Sequence, residues 1–286
     1  MLTPFFHYEF LQNAFFSGLL IGFIAPLLGV FIVVRRLSLI ADALSHVSLA
    51  GIAAGLYLSK QFTALIGISP IYFGMIFSVT GSLMIEKLRS VYKHYQELAI
   101  PIIMSGGIGI SVIFISLADG FNTDLFSYLF GSVSAVSRED LLVILGISAA
   151  VLIVVFSLFK ELFLLSFDEE HAKASGISAK WIHFIFILIV ALVIAASMRI
   201  VGTLLVSALM TLPVAASMRI AKGFKQAIFF SVLFGELSVV IGLVLAYHLD
   251  LAPGGTIVML SIFILILCIS FNKIKRRIPH ERTGSA

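Results

Sequence analysis

Residues 13–34 read NAFFSGLLIGFIAPLLGVFIVV, a run of apolar and small side chains that contains no charged residue. An α-helix needs about 20 mostly apolar residues to cross the hydrocarbon core of a bilayer, so this run is long enough. No basic segment precedes the run and no small-residue cleavage site follows it, so we do not expect it to be removed as a signal peptide. The run therefore predicts a helix that spans a membrane.

Runs of the same kind recur along the chain and predict an all-α bundle of about nine membrane-spanning helices in a single domain, residues 1–286. We place them at residues 13–34, 39–59, 62–85, 99–118, 140–165, 181–197, 200–217, 224–247 and 254–271. Charged residues make up 12% of the chain, against roughly 25% in a soluble domain, which excludes a water-soluble enzyme. A single cysteine, Cys268, excludes an internal disulfide, a thiolate zinc cluster and an iron–sulfur site.

Basic residues divide unevenly between the two sides of the predicted bundle. If successive loops alternate between the sides, one side receives only three of the 19 Lys and Arg residues: Lys60, Arg138 and Arg199. Because cytoplasmic loops carry the excess of Lys and Arg, this predicts an N-terminus outside the cell and a cytoplasmic C-terminus. The net charge of +4 thus reflects orientation, and no basic tract before residue 270 indicates nucleic-acid binding.

Two polar segments are not expected to span. Residues 119–138 mix aromatic residues with Gly and Ser, and predict an outer loop with a short interfacial or re-entrant piece. In residues 166–178, an Asp-Glu-Glu cluster follows Phe167 and suits the start of a helix, while Gly176 suits its end. This second segment predicts a short helix in the cytoplasm.

The predicted helix at 39–59 contains a carboxylate and an imidazole, Asp42 and His46. Ionisable side chains inside a membrane are costly unless they are paired or face a cavity, so both are candidates for a functional site. Being four residues apart, they project from one helix face and suit a first-row divalent metal. Zinc prefers four ligands, and a homodimer with this helix at its axis would supply four, helped by close packing at Gly51 and Gly55. The alternative is a buried Asp–His hydrogen bond that only stabilises the bundle.

Glu236, inside the predicted helix at 224–247, is a further candidate as a ligand, a proton-titrating group or a structural hydrogen-bonding group. His248 and Asp250 lie in an outer loop where a metal could enter, and the alternative for both is an ordinary solvated role. The chain contains no GxxxxGK[ST] motif, so any ATP hydrolysis must come from a partner chain.

Four segments carry a resemblance to a known family. LSLIADALSHVSLAGIAAG at 37–55 resembles the signature of the zinc and manganese permeases of ABC importers, the ZnuB-type family. FDEEHAKASGIS at 167–178, VGTLLVSALMTLPVAAS at 201–217 and LAYHLDLAPGGTIVML at 245–260 agree with it in order and length.

The resemblance implies a fold similar to the vitamin B12 permease class, in the cell membrane of a prokaryote. It implies a permease homodimer that binds a cytoplasmic ABC ATPase dimer and receives metal from an extracellular or periplasmic metal-binding protein. Asp42 and His46 match the family's metal-contacting positions. The segment 166–178 matches its coupling helix, which docks on the ATPase and includes Asp168, Glu169, Glu170, Ala172 and Gly176.

The transported ion is expected to be zinc rather than manganese, with no permanently bound cofactor. Zinc members of the family tend to read DxLSHVSL at this helix, which the present chain matches, although Ala43 follows the manganese pattern DAxSHAVxPG. A proton-coupled secondary metal transporter, in which Glu236 titrates and no ATPase takes part, is the alternative function. The two hypotheses differ at residues 167–178, because a secondary transporter has no need of a docking helix.

Overall fold

The computed structural model describes residues 7–65, 67–118, 120 and 123–277, and these residues form helices and no strands. The α-helices are α1 (Glu9–Val34), α2 (Ser38–Gln61), α3 (Pro70–Val91), α4 (Ala99–Leu117), α5 (Thr123–Phe130), α6 (Arg138–Ser157), α7 (Phe159–Phe167), α8 (Glu169–Ala174), α9 (Ala179–Val201), α10 (Val206–Ile220), α11 (Phe224–Leu249) and α12 (Pro253–Arg277). The all-α class predicted from the sequence is confirmed.

Eight of the described helices are long and apolar enough to cross a membrane: α1, α2, α3, α4, α6, α9, α11 and α12. The remaining predicted span, at 200–217, corresponds to α10, an apolar helix of only 15 residues. The predicted bounds 200–217 are wrong at their start, because α9 continues to Val201 and the chain leaves the helical conformation at Gly202, where φ is +86°.

The predicted span at 140–165 is also wrong in its extent. The chain turns at Leu158, which ends α6 and begins α7. The 20 residues of α6 are already enough to cross a bilayer, and the charged residues Lys160 and Glu161 follow directly, where hydrocarbon would be unfavourable. The segment 119–138, predicted to lie outside the membrane, contains α5, whose eight residues are too few to span.

Three helices, α1, α2 and α9, are mostly buried, and the more exposed apolar helices surround them. Glycines bring the inner helices close to their neighbours. A Cβ atom added at Gly29 of α1 would collide with the backbone carbonyl of Met210 in α10, and one added at Gly235 of α11 would collide with Pro26 of α1. Helix α2 packs mainly between α3 and α4 and also contacts α9 and α10, so its side chains lie near the centre of the molecule.

The short helix α5 is attached to the break between α9 and α10. The backbone N–H of Thr203 donates to the carbonyl of Tyr128 over 2.8 Å, and the Thr203 hydroxyl donates to the same oxygen over 2.8 Å. Gly202 lies at φ +86° and ψ 150°, a conformation that only glycine adopts readily. The break therefore depends on glycine at this position.

Substitution Gly202→Ala is expected to destabilise the protein by about 3 kcal/mol, from backbone strain and a collision between the new methyl group and the carbonyl of Leu129. The midpoint of thermal unfolding in detergent measures the effect. Gly146→Ala on α6 is the matched control, because a Cβ atom there has no neighbour within 4 Å. An unchanged midpoint in Gly202→Ala would contradict this account of the break.

Candidate metal site on the second helix

Asp42 and His46 lie one turn apart on α2, as their spacing predicts. Both side chains are partly accessible, whereas the residues between and beside them are buried: Ala41, Ala43, Leu44, Ser45 and Val47. The pair thus forms the polar, accessible part of an otherwise buried stretch of helix.

Helix α10 presents the hydroxyl group of Ser207 next to Asp42. The Ser207 hydroxyl donates to Oδ1 of Asp42 over 3.4 Å, a long hydrogen bond. One turn further along α10, the Thr211 hydroxyl donates to the backbone carbonyl of Ser207 over 2.9 Å. Both hydroxyl side chains are partly accessible, and Ser207 places its hydroxyl oxygen beside Asp42.

His46 lines a cavity of about 460 Å³ between α2, α4 and α5. The other walls are mostly aliphatic and aromatic side chains, including Leu49 of α2, Ile108 of α4 and Phe126 of α5. The imidazole thus faces a mostly apolar space, while the carboxylate one turn away accepts from the Ser207 hydroxyl of α10.

Helix α4 packs directly against the backbone of α2 beside His46. The Ser111 hydroxyl donates to the carbonyl of Gly107 over 2.7 Å and to the carbonyl of His46 over 3.3 Å. A Cβ atom at Gly107 would lie 2.9 Å from the backbone nitrogen of Val47, so glycine is needed for this approach. These contacts fix the helix segment that carries the imidazole.

Gly51 and Gly55 contact α3 of the same chain. A Cβ atom at Gly51 would collide with the backbone carbonyl of Phe73, and one at Gly55 would lie 2.8 Å from the Phe73 ring. The small-residue pair therefore brings α3 close to α2 within one molecule.

In the described part of the chain, no group of three or more His, Cys, Asp and Glu side chains lies close enough together to hold a metal ion. Asp42 and His46 are thus not joined by a third side chain of these types from the same chain. Since first-row divalent metals take four to six ligands, the remaining ligands would have to be hydroxyl groups, water or groups from another chain.

The other sequence candidates lie elsewhere. Glu236 is on α11, where its Oε2 atom is buried and has no hydrogen-bond partner among the described residues. Its side chain borders a separate cavity of about 480 Å³ that Lys225 also lines. His248 and Asp250 are exposed at the end of α11, where Asp250 has φ 49° and ψ 41°. None of the three forms part of a metal-binding cluster with Asp42 and His46 in the described chain.

A short helix, α8, lies within the range predicted at 166–178. Asp168 caps it, because its Oδ1 atom accepts a hydrogen bond of 2.8 Å from the backbone N–H of His171. Ala172 is fully buried, and Gly176 follows the helix with φ +80°. Glu170 is exposed. The role of this helix in docking an ATPase stays a prediction.

The sequence did not single out the hydroxyls of Ser207, Thr211 and Ser111. Serine and threonine are common in membrane helices, where they often bond to their own backbone, as Thr211 does here. Only the packing of α10 and α4 against α2 gives these side chains their place beside the candidate pair.

The model of the ABC 3 transport family matches residues 7–272. The chain belongs to the ABC 3 transport family. The metal ABC permease family expected from the resemblance is thereby confirmed.

Relatives in the ABC 3 family match nearly the whole chain. The manganese import system permease protein ScaB of Streptococcus gordonii is 35% identical over 260 residues, 91% of this chain and 90% of the relative. The manganese transport system membrane protein MntC of Halalkalibacterium halodurans is 30% identical over 265 residues, 93% and 88% of the two chains. The solved structure of PsaBC from Streptococcus pneumoniae in complex with Fab matches with a TM-score of 0.81 at 30% identity, covering 93% of each chain.

Proposed function

We propose that this chain is the membrane permease subunit of an ATP-driven importer of a divalent transition metal, with manganese as the favoured cargo. The observation that carries the proposal is the Asp42–His46 pair, which is accessible on a largely buried helix beside the hydroxyl of Ser207. Membership of the ABC 3 family supports a transport role, and the names of the relatives support a metal as cargo.

The chemistry of the site suits an ion that binds transiently during transport better than one that stays bound. The Asp42 carboxylate supplies negative charge, the His46 imidazole supplies a nitrogen ligand, and the Ser207 hydroxyl supplies a weak oxygen ligand. A transported ion must bind well enough to lose its water yet weakly enough to leave. A site with only two strong protein ligands in each chain meets that requirement.

A homodimer would complete the site. Two copies that face each other would offer two carboxylates and two imidazoles, and the two negative charges would neutralise a divalent cation. This geometry gives a reason for leaving Asp42 and His46 accessible in a stretch of α2 where most side chains are buried within the chain.

Manganese is favoured over zinc for two reasons. Ser207 places a hydroxyl oxygen beside Asp42, and carboxylate, hydroxyl and water ligands suit manganese, whereas zinc more often takes nitrogen and sulfur. ScaB and MntC are both named for manganese. The zinc cargo predicted from the sequence has no support in these names, and it remains the competing hypothesis.

The remaining partners follow from the family. A cytoplasmic ABC ATPase dimer would dock on α8, and an extracellular or periplasmic binding protein would deliver the ion. Closure of the ATPase would move α8 and switch the side to which Asp42 and His46 open, in an alternating-access cycle. In this arrangement the N-terminus is outside and the C-terminus is cytoplasmic, as the distribution of basic residues favours.

Uptake into proteoliposomes tests the proposal. The chain is reconstituted with its cognate ATPase and binding protein, and accumulation of manganese and zinc is measured with and without ATP. We expect ATP-dependent manganese uptake that zinc inhibits only at higher concentration. Faster zinc uptake would reverse the choice of cargo, and the absence of ATP-dependent uptake of either ion by an intact complex would overturn the function.

A further inference from the structure

Pro26 lies inside α1 and leaves one backbone carbonyl of that helix without its usual donor. In an α-helix the N–H of each residue donates to the carbonyl four residues earlier, and proline has no N–H. The carbonyl of Gly22 therefore lacks this hydrogen bond. Such a carbonyl is costly inside a membrane, where water is absent and a neighbouring helix usually supplies the missing donor.

Helix α11 meets α1 at this carbonyl. A Cβ atom added at Gly235 would lie 2.7 Å from the carbonyl oxygen of Gly22 and would collide with the Pro26 ring. A Cβ atom added at Gly22 would lie 3.5 Å from Cδ of Glu236, the carbon of the carboxyl group. Gly22 and Glu236 also match in depth, since each lies at the middle of a 26-residue helix. The close packing thus places a carboxyl group beside the residue whose carbonyl lacks a donor.

The carboxyl group of Glu236 is itself incompletely satisfied. Its Oε2 atom is buried and has no hydrogen-bond partner among the residues that the structure describes. An ionised carboxylate in this place would be an uncompensated charge at the middle of the membrane. The neutral acid carries no charge and has one O–H group to donate. Glu236 as the neutral acid needs an acceptor, and the carbonyl of Gly22 needs a donor.

Other ionisable groups around Glu236 are distant along their helices. Lys225 is the other ionisable residue that lines the cavity beside Glu236, and it lies about three turns, or about 16 Å, away along α11. Cys268 of α12 lines a different cavity with Ile220 and Phe230. The remaining titratable or charged residues of α11 and of the helices around it lie near helix ends: Tyr247 and His248 of α11, Glu9 of α1, Arg138, Glu139 and Asp140 of α6, Lys160 and Glu161 of α7, Arg219 of α10, and the basic residues of α12 from Lys273 onward.

We propose that Glu236 is a proton-binding site, in which the neutral carboxyl group donates to the carbonyl of Gly22 and fastens α11 to α1, and from which loss of the proton opens this contact. The cavity beside Glu236 gives the proton a route, because it extends to Lys225 at the exposed start of α11. Two turns further along α1, Gly29 packs against the carbonyl of Met210 in α10, the helix that carries Ser207. The proton site therefore lies behind the candidate metal site, and the inference holds whichever ion the chain transports.

Infrared difference spectra of the purified full-length chain in detergent test the protonation state at neutral pH. The spectrum of the wild type minus that of Glu236→Gln should contain the carbonyl stretch of a neutral carboxyl group. Glu97→Gln is the matched control, because Glu97 is exposed and its substitution should remove only carboxylate bands. Loss of carboxylate bands instead of a neutral-acid band in Glu236→Gln would overturn the proton site.

Thermal unfolding in two backgrounds tests the acceptor. With Pro26 present, Glu236→Met leaves the carbonyl of Gly22 without a donor, whereas in a Pro26→Ala background the restored N–H at position 26 can donate to it. Glu236→Met should therefore lower the unfolding midpoint by about 2 to 4 °C more with Pro26 than in the Pro26→Ala background, the shift expected for about one hydrogen bond. Equal effects in the two backgrounds would overturn the contact with Gly22.

Pro101→Ala is the matched control for the proline. Pro101 lies in the first turn of α4, where its missing N–H leaves no carbonyl of that helix without a donor. The effect of Glu236→Met should therefore be the same in the wild type and in the Pro101→Ala background.

The pH dependence of unfolding tests the proposal without any change at Pro26. At low pH the unfolded chain also holds the proton, but at higher pH folding must take a proton up, so the stability of the wild type should fall as the pH rises. The amide of Glu236→Gln can donate at every pH. Between about pH 5 and about pH 9, the midpoint of the wild type should fall by about 2 °C or more relative to that of Glu236→Gln. A constant difference between the two proteins over this range would overturn the proposal.

Discussion

Substituting either Asp42→Ala or His46→Ala is expected to reduce ATP-driven metal uptake at least 100-fold. In the proposed homodimeric site each chain would supply only these two strong ligands, since the described residues contain no cluster of three or more His, Cys, Asp and Glu, so either change would remove half of the strong ligands. Even changes to residues that merely support a metal ligand cost about 10- to 100-fold, and loss of a ligand itself should cost more. Uptake of manganese and zinc at several concentrations measures the loss.

The conservative variant Asp42→Asn distinguishes two possible roles of Asp42, that of a metal ligand and that of a structural hydrogen-bond acceptor. The amide oxygen can still accept from the Ser207 hydroxyl, but it brings no charge to the ion. We expect uptake to be lost while the purified complex retains its thermal stability. His94→Ala, at an exposed position after α3, is the matched histidine control and should transport normally. Normal transport by Asp42→Asn would mean that the pair only stabilises the bundle.

Most of the fold was predictable because each helix that crosses a membrane must be an apolar run of sufficient length. Prediction failed where tertiary contacts decide the end of a helix. The chain between Val201 and Val206 reads as apolar, yet the positive φ of Gly202 and the docking of α5 break the helix there. The turn at Leu158 likewise lies within an apolar run. In the sequence, only the charged residues Lys160 and Glu161 indicate that a membrane-spanning helix ends there.

The candidate site was predictable only in part. Asp42 and His46 stand out because ionisable residues are rare inside an apolar helix. Ser207 and Ser111 carry no such signal, since their relation to α2 depends on how α10 and α4 pack.

The second large effect is expected at α8. Replacing Asp168, Glu169 and Glu170 together by Ala should lower ATP-driven uptake at least tenfold. Loss of the Asp168 cap alone costs about 1 kcal/mol, or about fivefold in helix population. Loss of the acidic groups also removes their favourable interaction with the helix start. A helix of six residues has little else to maintain it, so ATPase docking should fail.

Two control variants test whether the loss of uptake comes from unfolding of α8 or from the removal of acidic charge in general. Asp168→Ser keeps a cap of similar quality and should retain most uptake, whereas Glu97→Ala removes an exposed acidic group outside α8 and should have no effect. Uptake and ATPase co-purification are measured for each variant. A proton-coupled transporter needs no docking helix, so in that case the triple variant would accumulate metal at the wild-type rate without ATP. Loss of both uptake and ATPase binding in the triple variant, with both retained in Asp168→Ser, ties transport to the folded helix and therefore to the ATPase.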